Sequence, residues 1–248
     1  MAERAAKAPG RPAKKTAKSI AVGAARNAGA RTGARAAPEP GAGDDRRRCD
    51  WVANASPRMV DYHDRQWGVP VRDDRQLFAK LILDGAQAGL SWSTILAREE
   101  GYYRAFHGLD PERMARYGEK DVARLLADPG IIRNRAKVRS AIANARAYQK
   151  LQGEEGSFAK WLWGFTGGEP IRNQWRRPAQ RPAETALAKT ISKELRNRGF
   201  SFVGPTIVYA FMQAVGMVND HLVTCYRHAE VDALAAPGRS AKRQRGER

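Results

Sequence analysis

Between residues 74 and 216 the apolar positions recur at spacings of three and four, the period of an amphipathic helix. In Asp74–Leu83, Leu77, Phe78, Leu81 and Ile82 share one helical face. Ser91 is placed to cap a second helix through Ala97 and beyond, with Trp92, Ile95 and Leu96 on its apolar side. Asp110-Pro111-Glu112 joins an N-cap, a proline at the first helical position and an acid, so it opens another. Val122, Leu125 and Leu126 mark a helix that stops at Asp128-Pro129-Gly130, and Val138, Ile142 and Ala145 mark the next. Leu187, Ile191 and Leu195 form a stripe ending at Gly199, a C-cap. Gly204-Pro205 opens a last apolar helix through Val215, ended by Gly216. Alternating β-patterns are nearly absent, and no internal repeat is seen. The fold class is all-α.

The two ends of the chain break this pattern. Residues 1–48 are Ala, Gly, Pro, Lys and Arg in low complexity, without an aromatic residue. Such a segment cannot bury enough apolar surface to offset its chain entropy, so it reads as a disordered basic arm. Residues 233–248 read as a second disordered basic tail, and 49–232 as the folded domain. The net charge is +18; residues 1–48 carry 12 Lys/Arg against 4 Asp/Glu, and 233–248 carry 5 against 1. The domain is therefore only moderately basic. The balance favours a polyanion partner, nucleic acid before an anionic membrane surface. No apolar run approaches the roughly 18 residues of a transmembrane helix. The N-terminus lacks an apolar h-region, so no secretory signal is expected. Its Arg/Ala-rich composition weakly resembles an organelle transit peptide; a plain basic arm is preferred.

Three groups of residues carry candidate chemistry. The 2 cysteines, Cys49 and Cys225, are too few and too far apart for a disulfide-stapled domain, although one long-range disulfide stays open. With His63 and His221 they make a tetrahedral Cys₂His₂ set for structural zinc, with no open position for catalysis. His221 and Cys225 stand four apart, so one helical face would present both. The alternative is four ordinary core or surface residues. Second, Asp128-Pro129-Gly130-Ile131-Ile132-Arg133 lies between two helices, followed by Arg135, Lys137 and Arg139. A glycine there lets backbone N–H groups approach a phosphate, as a helix-hairpin-helix element requires; the second glycine usual in that element is absent. Taken alone, these residues favour a common helix–helix turn. Third, Tyr62, Asp84 and Trp92 would suit a flat cationic ligand, the rings through their faces and the carboxylate through its oxygens. The alternative is core aromatics with a helix-terminal acid.

These groups occur together in one family. Cys49-Asp50-Trp51, Asp61-Tyr62-His63-Asp64, Trp67-Gly68-Val69-Pro70 and the run Leu83–Trp92 resemble bacterial DNA-3-methyladenine glycosylase I. So do Gly130–Arg133, Arg198–Gly204, Tyr209–Ala214 and Asn219-Asp220-His221, with Cys225 after them. The resemblance spans about Cys49 to Cys225. It implies an all-helical helix-hairpin-helix glycosylase fold, with a structural Zn²⁺ on Cys49, His63, His221 and Cys225. It implies base-binding by Tyr62, Trp92 and the catalytic carboxylate Asp84, where the family has Glu, with Trp51 and Trp67 lining the pocket. Gly130, Ile131 and Arg133 would hold DNA phosphates, and Gln87–Ser91 would wedge the duplex. The implied function is monofunctional removal of 3-methyladenine from double-stranded alkylated DNA, by a monomer in a bacterial, nucleoid-associated cytoplasmic setting. No lysine is expected to act as a Schiff-base nucleophile. The alternative is a zinc-stabilised DNA-binding module without glycosylase activity.

Overall fold

A computed structural model of the chain describes residues 45–235. Almost all of the basic arm and most of the C-terminal tail lie outside the described residues. The elements in chain order are α1 (Pro57–Arg65), α2 (Asp74–Gln87), α3 (Trp92–Leu96), α4 (Glu99–Ala105), α5 (Pro111–Ala115), α6 (Glu119–Ala127) and α7 (Arg135–Glu155). There follow α8 (Phe158–Gly164), β1 (Ile171–Arg172), α9 (Ala186–Asn197), α10 (Pro205–Ala214), β2 (Val218–Asn219) and α11 (Tyr226–Ala235). The two short strands pair in parallel, Ile171 against Val218 and Arg172 against Asn219. The mostly helical expectation holds.

Local chemistry sets many of the helix starts. The side chains of Ser56, Asp73, Ser91, Asp110, Asn134, Ser157 and Thr185 each accept a hydrogen bond from a backbone N–H of the turn they open. α2 runs a turn beyond the apolar stripe that predicts it, because Asp84, Gly85 and Ala86 are buried as well. α10 ends where Gly216 turns at φ +71°, and a β-carbon there would press on the backbone of Val69. No apolar stripe announces α1, α8 or α11, although Ser56 and Ser157 cap the first two, and α4 is a separate helix where the one capped by Ser91 was expected to run on.

The main core gathers Leu77, Phe78 and Leu81 of α2 with Tyr148 of α7, Phe158 of α8, Ile191 and Leu195 of α9 and Phe211 of α10. At 0–1 % exposure these side chains provide the main apolar burial. A second cluster holds Cys49, Tyr62, Trp67, Leu96, Leu222 and Cys225, with Trp51 and Trp92 against it. Asp74, the first residue of α2, ties the start of α8: it accepts from the N–H groups of Phe158 (3.0 Å) and Ala159 (2.7 Å), from Ser157 (2.9 Å) and from Gln152 (2.9 Å). At the edge of the described chain, Arg46 lies over the Tyr226 ring and the Arg47 carbonyl accepts from the Tyr226 N–H. No described helix is long and apolar enough to cross a membrane.

Candidate functional site: a Cys/His cluster beside an aromatic cavity

Cys49 precedes a 3-10 turn, Asp50–Val52, and His63 is on α1. His221 and Cys225 do not share a helical face, as their spacing suggests. They sit in the irregular link between β2 and α11, where the His221 N–H is held by the Asn219 side chain and the Cys225 N–H by the Leu222 carbonyl. The loop still converges them: the four donor atoms lie within 4.8 Å of one another and all four residues are buried. Both thiols are free. Cys225 Sγ is 3.5 Å from His63 Nε2 and 3.6 Å from His221 Nδ1, and Cys49 Sγ is 3.6 Å from His221 Nδ1.

Neighbours fix which imidazole nitrogen faces the sulfurs. His63 Nδ1 is 2.7 Å from Asp64, which Arg48 grips through Nε and Nη2 at 3.0 and 2.8 Å. Partial burial alone would raise the Asp64 carboxyl, but the hydrogen bonds from Arg48 and His63 hold it below the usual carboxylate range. As an anion it accepts from Nδ1–H and leaves the Nε2 lone pair toward Cys225. His221 Nε2 likewise donates to the Trp67 carbonyl at 3.0 Å and leaves Nδ1 for the sulfurs. Burial also lowers the basicity of His221, favouring its neutral form. The mutual hydrogen bond between the thiols holds Cys225 down and Cys49 up. This is a donor set that could hold a metal ion.

The aromatic residues adjoin this cluster. Trp67 meets His221 at 4.6 Å between ring centroids, and Trp51 meets Trp67 at 5.3 Å, both edge-on. Trp51, Trp67, Tyr62, Trp92 and Asp84 line a cavity of about 300 Å³, open on one side. All five sequence-predicted pocket residues are thus in one place. Tyr62 and Trp92 lie 5.2 Å apart at 41°. Met59, Gln87, Arg181, Ala210 and Gln213 complete the wall. Gln87 falls within the stretch expected to wedge the duplex, and Ala210 and Gln213 within the Tyr209–Ala214 run that carries the resemblance. Met59 and Arg181 had no sequence signal, because they reach the cavity from α1 and from a loop far away in the chain. Three buried polar atoms of the lining make no hydrogen bond: Trp51 Nε1, Trp92 Nε1 and Asp84 Oδ2. The other oxygen of Asp84 accepts from Lys80 Nζ at 2.8 Å. Burial raises the Asp84 carboxyl, and the charge and hydrogen bond of Lys80 oppose that rise.

The segment between α6 and α7 is a tight hairpin whose parts do different work from that expected. The Gly130 N–H is satisfied within the chain by Asp128 Oδ1 at 2.7 Å, and Ile131 is a core residue at 3 % exposure. Gly101 of α4 has no room for a side chain because the hairpin backbone packs against it: a β-carbon on Gly101 would overlap the Gly130 carbonyl, whereas one on Gly130 would meet the ends of the Arg104 and Asp128 side chains. Lys137 turns inward and donates to the Ala86 and Ala88 carbonyls at the end of α2, and Arg139 pairs with Glu119. Arg133 and Arg135 remain exposed.

A family model for methyladenine glycosylase matches residues 51–228 of this chain. DNA-3-methyladenine glycosylase 1 of Escherichia coli (strain K12) is 45% identical over 178 residues, covering 72% of this chain and 95% of that protein. The crystal structure of a 3-methyladenine DNA glycosylase I superposes with a TM-score of 0.71 at 46% identity, covering 73% of this chain and 98% of the other. A variant of 3-methyladenine DNA glycosylase I in complex with 3-methyladenine gives 0.70 at 35% identity, covering 72% and 96%. The matched span contains the cavity and three of the four Cys/His positions, and Cys49 stands two residues ahead of it. The likeness covers almost the whole length of those relatives, and on it this chain belongs to the methyladenine glycosylase family.

Proposed function

We propose that this chain is a DNA glycosylase that hydrolyses the N-glycosidic bond of 3-methyladenine in alkylated double-stranded DNA, the first step of base excision repair. The observation that carries the reading is the convergence of Tyr62, Trp92 and a buried Asp84 with one unpartnered oxygen on a single cavity. A base adducted at N3 is cationic and leaves as a neutral purine, so the enzyme has little proton transfer to perform. Its tasks are to extrude the nucleotide, hold the cation and admit water to the sugar carbon. The ring faces of Tyr62 and Trp92 attract the cation, Trp51 and Trp67 wall it in, and Asp84 Oδ2 accepts from its edge. Asp84 is one methylene shorter than the family's Glu, which sets its oxygens back by roughly 1.5 Å. Leu90, 39 % exposed between α2 and α3, is the apolar tip of the segment that would fill the gap left in the duplex.

The metal reading is structural zinc on Cys49, His63, His221 and Cys225. Zinc–sulfur and zinc–nitrogen bonds of about 2.3 and 2.05 Å at tetrahedral angles give an S···N edge of about 3.55 Å. The three S···N separations of 3.5, 3.6 and 3.6 Å support that fit. Zinc would restrain the link between the two ends of the domain and take no part in the reaction. DNA would be held at the α6–α7 hairpin, with Arg133 and Arg135 as phosphate partners and Gly130 and Ile131 shaping the turn. The enzyme is read as a monomer, acting in the cytoplasm, with the basic tails adding sequence-independent affinity.

The test is base release from dimethyl-sulfate-treated DNA, resolved by chromatography. Wild-type protein releases 3-methyladenine and leaves 7-methylguanine in place. Asp84→Ala, losing a charge-assisted hydrogen bond, lowers release by about tenfold or more. A folded, zinc-loaded protein that releases no base but retains duplex binding would replace this reading with that of a DNA-binding module.

A further inference from the structure

Lys80 stands one helical turn before Asp84 on α2, and its Nζ donates to Asp84 Oδ1 at 2.8 Å. The same ammonium lies 3.6 Å from the centroid of the Trp92 ring and 5.6 Å from that of Tyr62. Lys80 therefore touches all three groups that the proposed function assigns to the base. Yet it does not line their cavity; it lines a neighbouring one, with Leu83, Glu99 and Tyr103. A cation in this place is not explained by packing, since the position is nearly buried and an apolar side chain would fill it without desolvating a charge.

We propose that Lys80 is a positioning residue of the base site, which keeps Asp84 ionised and fixes its carboxylate so that Oδ2 is left to accept from the base. The inference rests on the reading of Asp84 as the base's acceptor. The carboxylate is 1 % exposed and would favour its neutral, protonated form if it stood alone. A protonated Asp84 could not offer a charge-assisted acceptor to a cationic purine. Lys80 supplies the compensating charge from behind, on the side away from the ligand. It also occupies one oxygen, so the short Asp side chain has a single direction in which to point the other. The other charged or titratable groups around the pair, among the described residues, are Glu99 of α4, which favours the charged ammonium, the Tyr62 hydroxyl of α1, held neutral by burial, Arg65 of α1 and Tyr103 of α4 on the Lys80 side, and Arg181 on the cavity wall. None of these bonds Asp84.

The experiment is single-turnover release of 3-methyladenine from methylated DNA across pH 5–9, with full-length wild type, Lys80→Met, Asp84→Asn and the double variant. Thermal melts and zinc content confirm that each is folded. Wild type loses activity at the acid end as Asp84 protonates. In Lys80→Met that acid limb moves upward by about 1–3 pH units, the shift an adjacent cation imposes on a carboxylate. Release at pH 6 then falls about tenfold for each unit and recovers toward pH 9. Asp84→Asn is impaired with no acid limb. The double variant matches Asp84→Asn and keeps the test informative if Lys80→Met alone unfolds, since it leaves no unpaired charge. An additional loss in the double variant would give Lys80 a role apart from Asp84 and overturn the inference. So would a loss in Lys80→Met that is equal at every pH, or a gain at every pH, which would make Lys80 a competitor of the cationic base. If instead Asp84→Asn keeps the wild-type profile, the reading of Asp84 fails, and the inference with it.

Discussion

Gly101 on α4 meets the backbone of Gly130 in the α6–α7 hairpin so closely that a β-carbon on Gly101 would overlap the Gly130 carbonyl. The contact fixes the hairpin against the helical core and sets the direction in which Arg133 and Arg135 leave it. Gly101→Ala should destabilise the domain by about 1–3 kcal/mol or more, as overpacking between rigid backbones does. Urea denaturation of the zinc-loaded protein measures this, and an unchanged midpoint would mean that the hairpin yields freely.

Arg133 and Arg135 carry the hairpin's exposed charge, because Lys137 turns inward and Arg139 pairs at the surface with Glu119. Replacing either with Ala should weaken binding to undamaged duplexes of any sequence by a similar factor. Each should also reduce the slope of log K against log salt by about 0.9. Lys137→Ala should leave that slope alone and lower stability, since it uncaps the α2 carbonyls. Fluorescence anisotropy at several salt concentrations separates the two behaviours.

Asp64 sits behind His63 and is itself held by Arg48. Asp64→Asn keeps the shape of the side chain but removes the charge that orients the imidazole. Zinc affinity should fall about 10–100-fold, in the range found for outer partners of metal-bound histidines. Competition with a chromophoric chelator reads this directly. Chelation of the wild type should lower its melting temperature, whereas base release by protein that stays folded and zinc-free would be unaffected if the metal is purely structural.

Asp74 makes the domain sensitive to acid. Burial alone would raise its carboxyl, but four hydrogen bonds, led by that from the Ala159 N–H, bring it below the ordinary range. A group depressed in the folded state contributes stability above its unfolded pKa and loses it as the pH falls through the folded value. Asp74→Asn should therefore be less stable than wild type at pH 7, by about 1–2 kcal/mol. The gap should begin to narrow below about pH 4, the unfolded value, and close only as the pH falls through the lower folded value. Denaturant curves at pH 7, 5, 3.5 and about 2 would show it, and a gap that persists undiminished to the lowest pH would assign the cost to geometry and not to charge.

Much of this protein is local, and what is local was legible in the chain. Caps such as Ser91 and Asp110 act on N–H groups two or three residues away, so they mark helix starts wherever the chain later travels. The stripe of Leu187, Ile191 and Leu195 names a buried face before its partner is known. The resemblance placed Cys49, His63, His221 and Cys225, and Tyr62, Asp84 and Trp92, as sets to be brought together. α11 was not foreseen because its apolar residues make no continuous stripe.

The tertiary structure alone decided which polar groups meet. His221 and Cys225 converge through a loop, not a helical face, because Asn219 and Leu222 hold the backbone there. Lys137, which reads as a phosphate cation, is spent on the carbonyls of α2, 49 and 51 residues earlier. Lys80 and Asp84 stand four apart in the sequence, a spacing that on an exposed helix would mean little. What gives the pair its consequence is burial between Trp92, Tyr62 and a cavity, and burial is a property of the whole fold.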